Sequence, residues 1–330
     1  MNLREQGCWL ALVFESHLST REVNDILVIW CKQLGRTVEE FFAADAEEWK
    51  RTCQLNEKIV QKLMQAKEKL VAQAFLVEQL QHDTIHMMTV LDAEYPKRLK
   101  EALGRNQLPP LLFYTGDLSI LERQTIAIIG SRNAGEASIT FTRSAAQFLA
   151  NQGANVISGN ARGVDRTAYD GAMSASGHTT VVLPHGIRKL SRVQFRTLQA
   201  RAESGNVLLL SQFHPDAPWV VSRAMERNKI VTGLAQIVIV AESDIKGGTW
   251  EGAKSALAQK RLLYVRQADA TSLPGNEALI QLGGKRLVWP SEGYPDAFAP
   301  LLHESSMQRQ RQDKLSELPK QAPLFIAAGE

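Results

Sequence analysis

Paired cysteines are missing from this sequence. Its three, Cys8, Cys31 and Cys53, fall in the first sixth of the 330 residues without CxxC spacing, so no disulfide framework or cysteine-held metal is expected. No apolar run reaches the roughly 18 residues a membrane span requires, and the first fifteen residues carry charges where a signal peptide would be apolar. No membrane partner is expected, and the expected compartment is the cytoplasm. The dinucleotide fingerprint GxGxxG is absent too. Neither a Ser nor a Cys nucleophile with a paired acid stands in a recognisable motif, so the chain is not expected to be an enzyme. His185 ends an apolar run, and His82 and His86 lie four apart, but no further ligands join them; surface or packing roles are expected, with no metal and no cofactor.

What is present is a large apolar complement. At 44% hydrophobic residues, the chain can bury at least one large core and has length for two or three domains. The net charge of +3 is unevenly spread. Up to Asp92 there are 10 Lys and Arg against 14 Asp and Glu, a net −4, which leaves +7 on the remainder. That asymmetry suits an anionic partner for the later part, although an ordinary basic surface would also produce it.

From Trp9 to about His82 apolar residues recur at helical spacing, as in EVNDILVIWCKQL and VEEFFAADAEEW, which predicts a small all-α bundle over residues 1–84. Residues 85–120 change character around Pro109-Pro110 and read as an entry segment. Over 121–290 short runs rich in Val, Ile and Leu (TIAIIG, ANVISG, TTVVLP, NVLLLSQ, AQIVIVAE, RLLYVR) alternate with helix-length segments. Near-continuous apolar strands between helices predict a doubly wound, mostly parallel α/β sheet covered on both faces. Residues 291–330 are polar and read as a flexible tail.

In such a sheet ligands bind beyond the carboxyl ends of the strands. The loop after the first of these strands is Gly130-Ser131-Arg132, where a dinucleotide site would have glycines. The loop after the second runs through Ser158, Gly159, Arg162 and Gly163, and its small residues permit close backbone approach. Both precede helices, whose N-termini attract anions. Arg223, Arg227, Asn228 and Lys229 precede the strand AQIVIVAE; the three cations suit phosphate oxygens, and a solvated helix face is the plain alternative. Gly247, Gly248 and Thr249 open another helix as a backbone nest. Trp250 there is a base-stacking platform or a packed core residue.

Taken in order, GSR, SGNARGVDRTA, LLLSQF, RAMERNKIVTGLA, GGTWEGAKSAL and SLPGNEALIQLGG resemble the DprA/Smf family of DNA-processing proteins over roughly residues 8–290. The resemblance implies an extended Rossmann-like domain after a SAM-like bundle, binding of single-stranded DNA, a homodimer, and loading of a RecA-type recombinase, notably in natural transformation. It implies that Arg132 holds a DNA phosphate, that Ser158, Gly159 and Gly163 line the pocket, and that Arg227, Asn228 and Lys229 stand for the family's RNR, with Lys in place of its second Arg.

Two other readings compete. KGGTWEGA echoes the PGGxGTxxE loop of Rossmann-like enzymes that hydrolyse nucleoside monophosphates, but Glu251 follows Thr249 after one residue instead of two, and Lys246 replaces the Pro. A nucleotide sensor in a defence system is the third.

Overall fold

The computed structural model describes residues 1–267, 273–289 and 295–304. Its contacts divide the chain into two compact units with the boundary between Tyr114 and Thr115, inside the expected entry segment.

The first unit begins with six helices, α1 Leu3–Leu10, α2 Thr20–Leu27, α3 Val38–Ala43, α4 Ala46–Cys53, α5 Glu57–Lys67 and α6 Leu70–His82. Local chemistry sets their starts. Ser19 with Glu22, and Thr37 with Glu40, form reciprocal capping boxes, which satisfy donors that a first turn leaves unpaired. The bundle core is aromatic: Trp30 meets Phe41 edge-on, and Phe41 stacks on Trp49 with centroids 5.1 Å apart. The bundle's buried indoles all find an acceptor, Trp30 at the Thr37 carbonyl, Trp49 at the Phe41 carbonyl and Trp9 at the Glu5 carboxylate, as a buried polar N–H requires. A hairpin of β1 His86–Thr89 and β2 Leu111–Thr115 follows, with α7 Lys97–Ala102 between its strands.

In the second unit the six predicted runs become β3 Thr125–Ile129, β4 Asn155–Ser158, β5 His178–Val182, β6 Val207–Ser211, β7 Ile237–Val240 and β8 Leu262–Arg266. A seventh strand, β9 Lys285–Leu287, lies at one edge. All pair in parallel, in the order β6-β5-β4-β3-β7-β8-β9. Apart from His178 and Leu262 at their starts, the interior strands are buried along their length, which is why they read as apolar runs. Helices α8 Glu136–Asn151, α9 Val164–Ser174, α10 Arg192–Glu203, α11 Val221–Leu234, α12 Gly248–Ala258 and α13 Pro274–Gln281 connect them.

One expectation differs from the structure. Phe298 and Leu301, inside the stretch read as a polar tail, are buried in the same cluster as Phe141 and Leu149 of α8. Apolar side chains spaced three apart on a helical turn can seat on one face, so the chain is anchored at least to this point. Residues 291–294 and those from 305 onward lie outside the described residues.

Candidate functional site

The strand order reverses beside β3: β4 pairs on one side of it and β7 on the other. At such a switch the connections leave in opposite directions and open a crevice at the carboxyl edge. A cavity of about 390 Å³ occupies it, lined by the loop after β3 (Gly130, Ser131, Arg132, Asn133), by Ala161 and Asp165, by Trp219 and the first turns of α11, and by Lys246, Gly248 and Thr249.

Close packing forms the first wall. Gly163 has φ +84°, and a Cβ on it would collide with the carbonyls of Ser131 and Arg132, so only glycine lets the two loops lie together. The Val164 N–H donates to the Ser131 carbonyl at 3.2 Å. Arg132 is exposed, with its guanidinium 5.7 Å from the ring centre of Trp219. Trp219 is itself 47% exposed.

Beneath them lies a buried pair. Arg227 is only 3% exposed and donates through Nη1 to the Val182 carbonyl at 2.6 Å. Its guanidinium lies against Gly159, where any side chain would overlap it. Asp165, also buried, accepts from the Gly159 N–H at 3.1 Å. Burial lifts the Asp165 carboxyl above its usual range, opposed by the charge of Arg227 and by backbone donors at Gly159 and Ala161. Burial likewise lowers Arg227, while Asp165 holds it up; an arginine lowered from such a height remains a cation at neutral pH. Arg227 therefore brings a cation to the cavity lining, with the Asp165 carboxyl beside it.

The opposite wall is the start of α12. Gly247 takes φ +93°, and Asn228 donates to the Gly248 carbonyl at 3.1 Å, fixing that turn. The N–H groups of Gly248, Thr249 and Trp250 have no acceptor among the described residues, so they stand ready for an anion.

Of the residues singled out from sequence, Gly130, Ser131, Arg132, Arg227, Asn228, Gly248 and Thr249 line the cavity. Gly159, Gly163 and Gly247 shape it from behind, and Ser158 is buried at the end of β4. Arg162 turns to Asn133. Arg223 does not line the cavity: it donates to the Pro218 carbonyl and lies 5.9 Å from the Phe213 ring. Lys229 is also off the lining; its carbonyl accepts from Gln259. Trp250 lies half-buried with Lys254 over its ring, outside the lining, and Glu251 pairs with Lys254 at 2.9 Å. The aromatic of the site is Trp219, which the sequence reading passed over. Its one signal was the apolar Trp219-Val220-Val221 triplet that leads into α11.

The family model for DNA recombination-mediator protein A matches residues 86–293. The chain belongs to this family. Every residue lining the cavity falls inside the DNA recombination-mediator protein A match. Protein Smf of Escherichia coli is 29% identical over 211 residues, covering 63% of this chain and 55% of that protein. The DNA processing protein DprA of Streptococcus pneumoniae is 29% identical over 188 residues, covering 57% and 62%. The chain thus spans little more than half the length of these curated relatives. Among solved structures, S. pneumoniae DprA shares the fold at a TM-score of 0.69 and 22% identity, covering 89% of this chain and 97% of that one. DprA of Helicobacter pylori superposes at 0.56 with 25% identity, covering 67% and 98%, and is described for its single-stranded DNA binding mode.

Proposed function

We propose that this member of the family binds single-stranded DNA and acts in DNA recombination, holding the strand's backbone across the carboxyl ends of β3, β4 and β7. The observation that carries the reading is the exposed Arg132 beside the exposed Trp219, above the buried cation Arg227 and facing the unpartnered N–H groups of α12. Phosphate contacts position a strand without reading its sequence, and an accessible indole offers a π-face to any unpaired base. Paired bases in a duplex have both faces covered, so single strands are the favoured ligand. Ser158, Gly159, Gly163 and Gly247 act by shaping the groove, Arg162, Arg223 and Lys229 by adding charge around it. In this reading the bound strand is passed to a RecA-type recombinase by a homodimer in the cytoplasm, as in DNA uptake, and no bond of the DNA is broken. Asp165, the buried carboxylate of the site, is committed to Arg227 and backbone donors, and Glu251 to Lys254.

Fluorescence anisotropy with matched single-stranded and duplex oligonucleotides tests this. Single strands should bind more tightly, and Trp219→Ala should narrow the difference by about 1–3 kcal/mol, the usual worth of one stacked base. Equal affinity for duplex in the native protein would contradict the reading. Release of free base from nucleoside monophosphates, abolished by Glu251→Gln, would favour the hydrolase reading instead.

A further inference from the structure

The helix that follows the first strand of a dinucleotide-binding sheet receives the pyrophosphate at its N-terminus. Here the corresponding helix is α8, and a carboxylate of the protein itself already sits at its N-terminus. β3 and β7 run parallel with Ile129 opposite Val240, and their ladder continues past both strand ends. The Ala241 N–H donates to Ile129, and the Ser131 N–H donates to the Glu242 carbonyl at 2.9 Å. That register carries the Glu242 side chain to α8, where Oε2 accepts from the Gly135 N–H at 3.0 Å and from Ser138 Oγ at 2.6 Å. Gly135 is the N-cap residue and has no side chain of its own to cap the helix; Glu242 instead accepts from the Gly135 N–H and the Ser138 hydroxyl, and its charge suits the positive end of the helix. Behind it, Arg266 is buried, donates through Nη2 to Ser138 Oγ at 2.7 Å, and is tied by Nε to the Ala241 carbonyl.

Glu242 therefore grips the loop at both ends, by its main chain at Ser131 and by its carboxylate at Gly135. Arg132 lies between the two. We infer that Glu242 is a positioning residue, the protein's own anion in the dinucleotide phosphate seat, which presents Arg132 to the cavity and turns the anion site from the α8 N-terminus toward Arg132. The inference rests on the DNA-binding reading above, with Arg132 as a phosphate contact.

Its test has opposite signs under the two possibilities. A carboxylate beside a polyanion site repels the ligand, so if Glu242 were a bystander, Glu242→Ala would tighten oligonucleotide binding. Positioning predicts that Glu242→Ala weakens it several-fold, while Glu242→Gln, which keeps an acceptor oxygen for both donors and loses the repelling charge, binds at least as tightly as the native protein. Because the effect acts through Arg132, Glu242→Ala should cost nothing further in an Arg132→Ala background, a non-additivity that a general loss of structure would not produce. Should Glu242→Ala fail to fold, Ser138→Ala removes one of the two donors and should weaken binding only while Arg132 is present. All affinities are read by anisotropy, with thermal melting of each variant alongside. Tighter binding by Glu242→Ala, or a loss that simply adds to that of Arg132→Ala, would overturn the assignment and leave the DNA-binding reading standing. An Arg132→Ala variant that binds as well as the native protein would remove that reading, and the positioning role with it.

Discussion

A single methyl group placed at Gly159 should disturb the site more than most changes to its rim. The backbone there is not in the left-handed region, so alanine costs nothing in conformation. What it meets is the Arg227 guanidinium, which a Cβ would overlap at three atoms. That group cannot simply retreat, since it is 3% exposed and held to the Val182 carbonyl at 2.6 Å. Overpacking of this kind costs about 1–3 kcal/mol, and a displaced arginine also forfeits a charged hydrogen bond worth about 1.5–3 kcal/mol. Together these predict a loss of roughly 3–5 kcal/mol, a large share of the ~5–15 kcal/mol by which domains are stable. For a unit of this size the melting temperature should fall by about 6–20 °C. Denaturant and thermal unfolding of Gly159→Ala measure the loss, and Arg227→Ala supplies the control, because with the guanidinium gone the added methyl has room. A Gly159→Ala protein as stable as the native one, or an equal loss in the Arg227→Ala background, would refute the argument.

Burial pushes the thiols of Cys8 and Cys31 up to about 12 and that of Cys53 to about 11; a disulfide reagent at pH 8 should therefore label none of them in the folded protein and all three after denaturation. Ser19→Ala should cost about 1 kcal/mol by removing a helix cap, measured by denaturant titration. Part of that loss is pH-dependent: the Ser19 backbone N–H and hydroxyl hold the Glu22 carboxyl below its usual range, and the variant loses the hydroxyl's share, which is present above that range and disappears as pH falls through the lowered value. The gap between native and variant stability should narrow in acid, modestly, because Glu22 is largely solvated.

The parallel sheet was legible because strands buried on both faces leave apolar runs with nothing to interrupt them. β9 left no such trace: of its three residues Lys285 and Arg286 are exposed and only Leu287 is buried, as an edge strand permits. The reach of the second unit to Leu301 rested on Phe298 and Leu301, two apolar residues in a polar stretch whose partners on α8 are distant in sequence. Arg132 could be placed because a loop that leaves the end of a strand has one destination. Arg227 could be placed at the site but not below its surface, since an arginine on a helix reads as a solvated cation; its burial depends on Gly159 and Asp165, which only tertiary structure brings beneath it. Trp219 was missed for the same reason. Its meaning comes from Arg132, met across the cavity and not along the chain.

In the proposed function Arg132 holds a phosphate of a single strand. Each neutralised phosphate releases counterions, so affinity for a single strand should fall with salt at a slope of about −0.7 per contact on logarithmic axes. Anisotropy across a salt series for the native protein, Arg132→Ala and Arg143→Ala, with circular dichroism to confirm folding, reads that slope directly. Arg132→Ala should weaken binding irrespective of base sequence and flatten the slope by about 0.7, while Arg143→Ala, at an exposed residue on α8 outside the cavity lining, should leave both unchanged. An Arg132→Ala protein with native affinity and an undiminished slope would contradict that role.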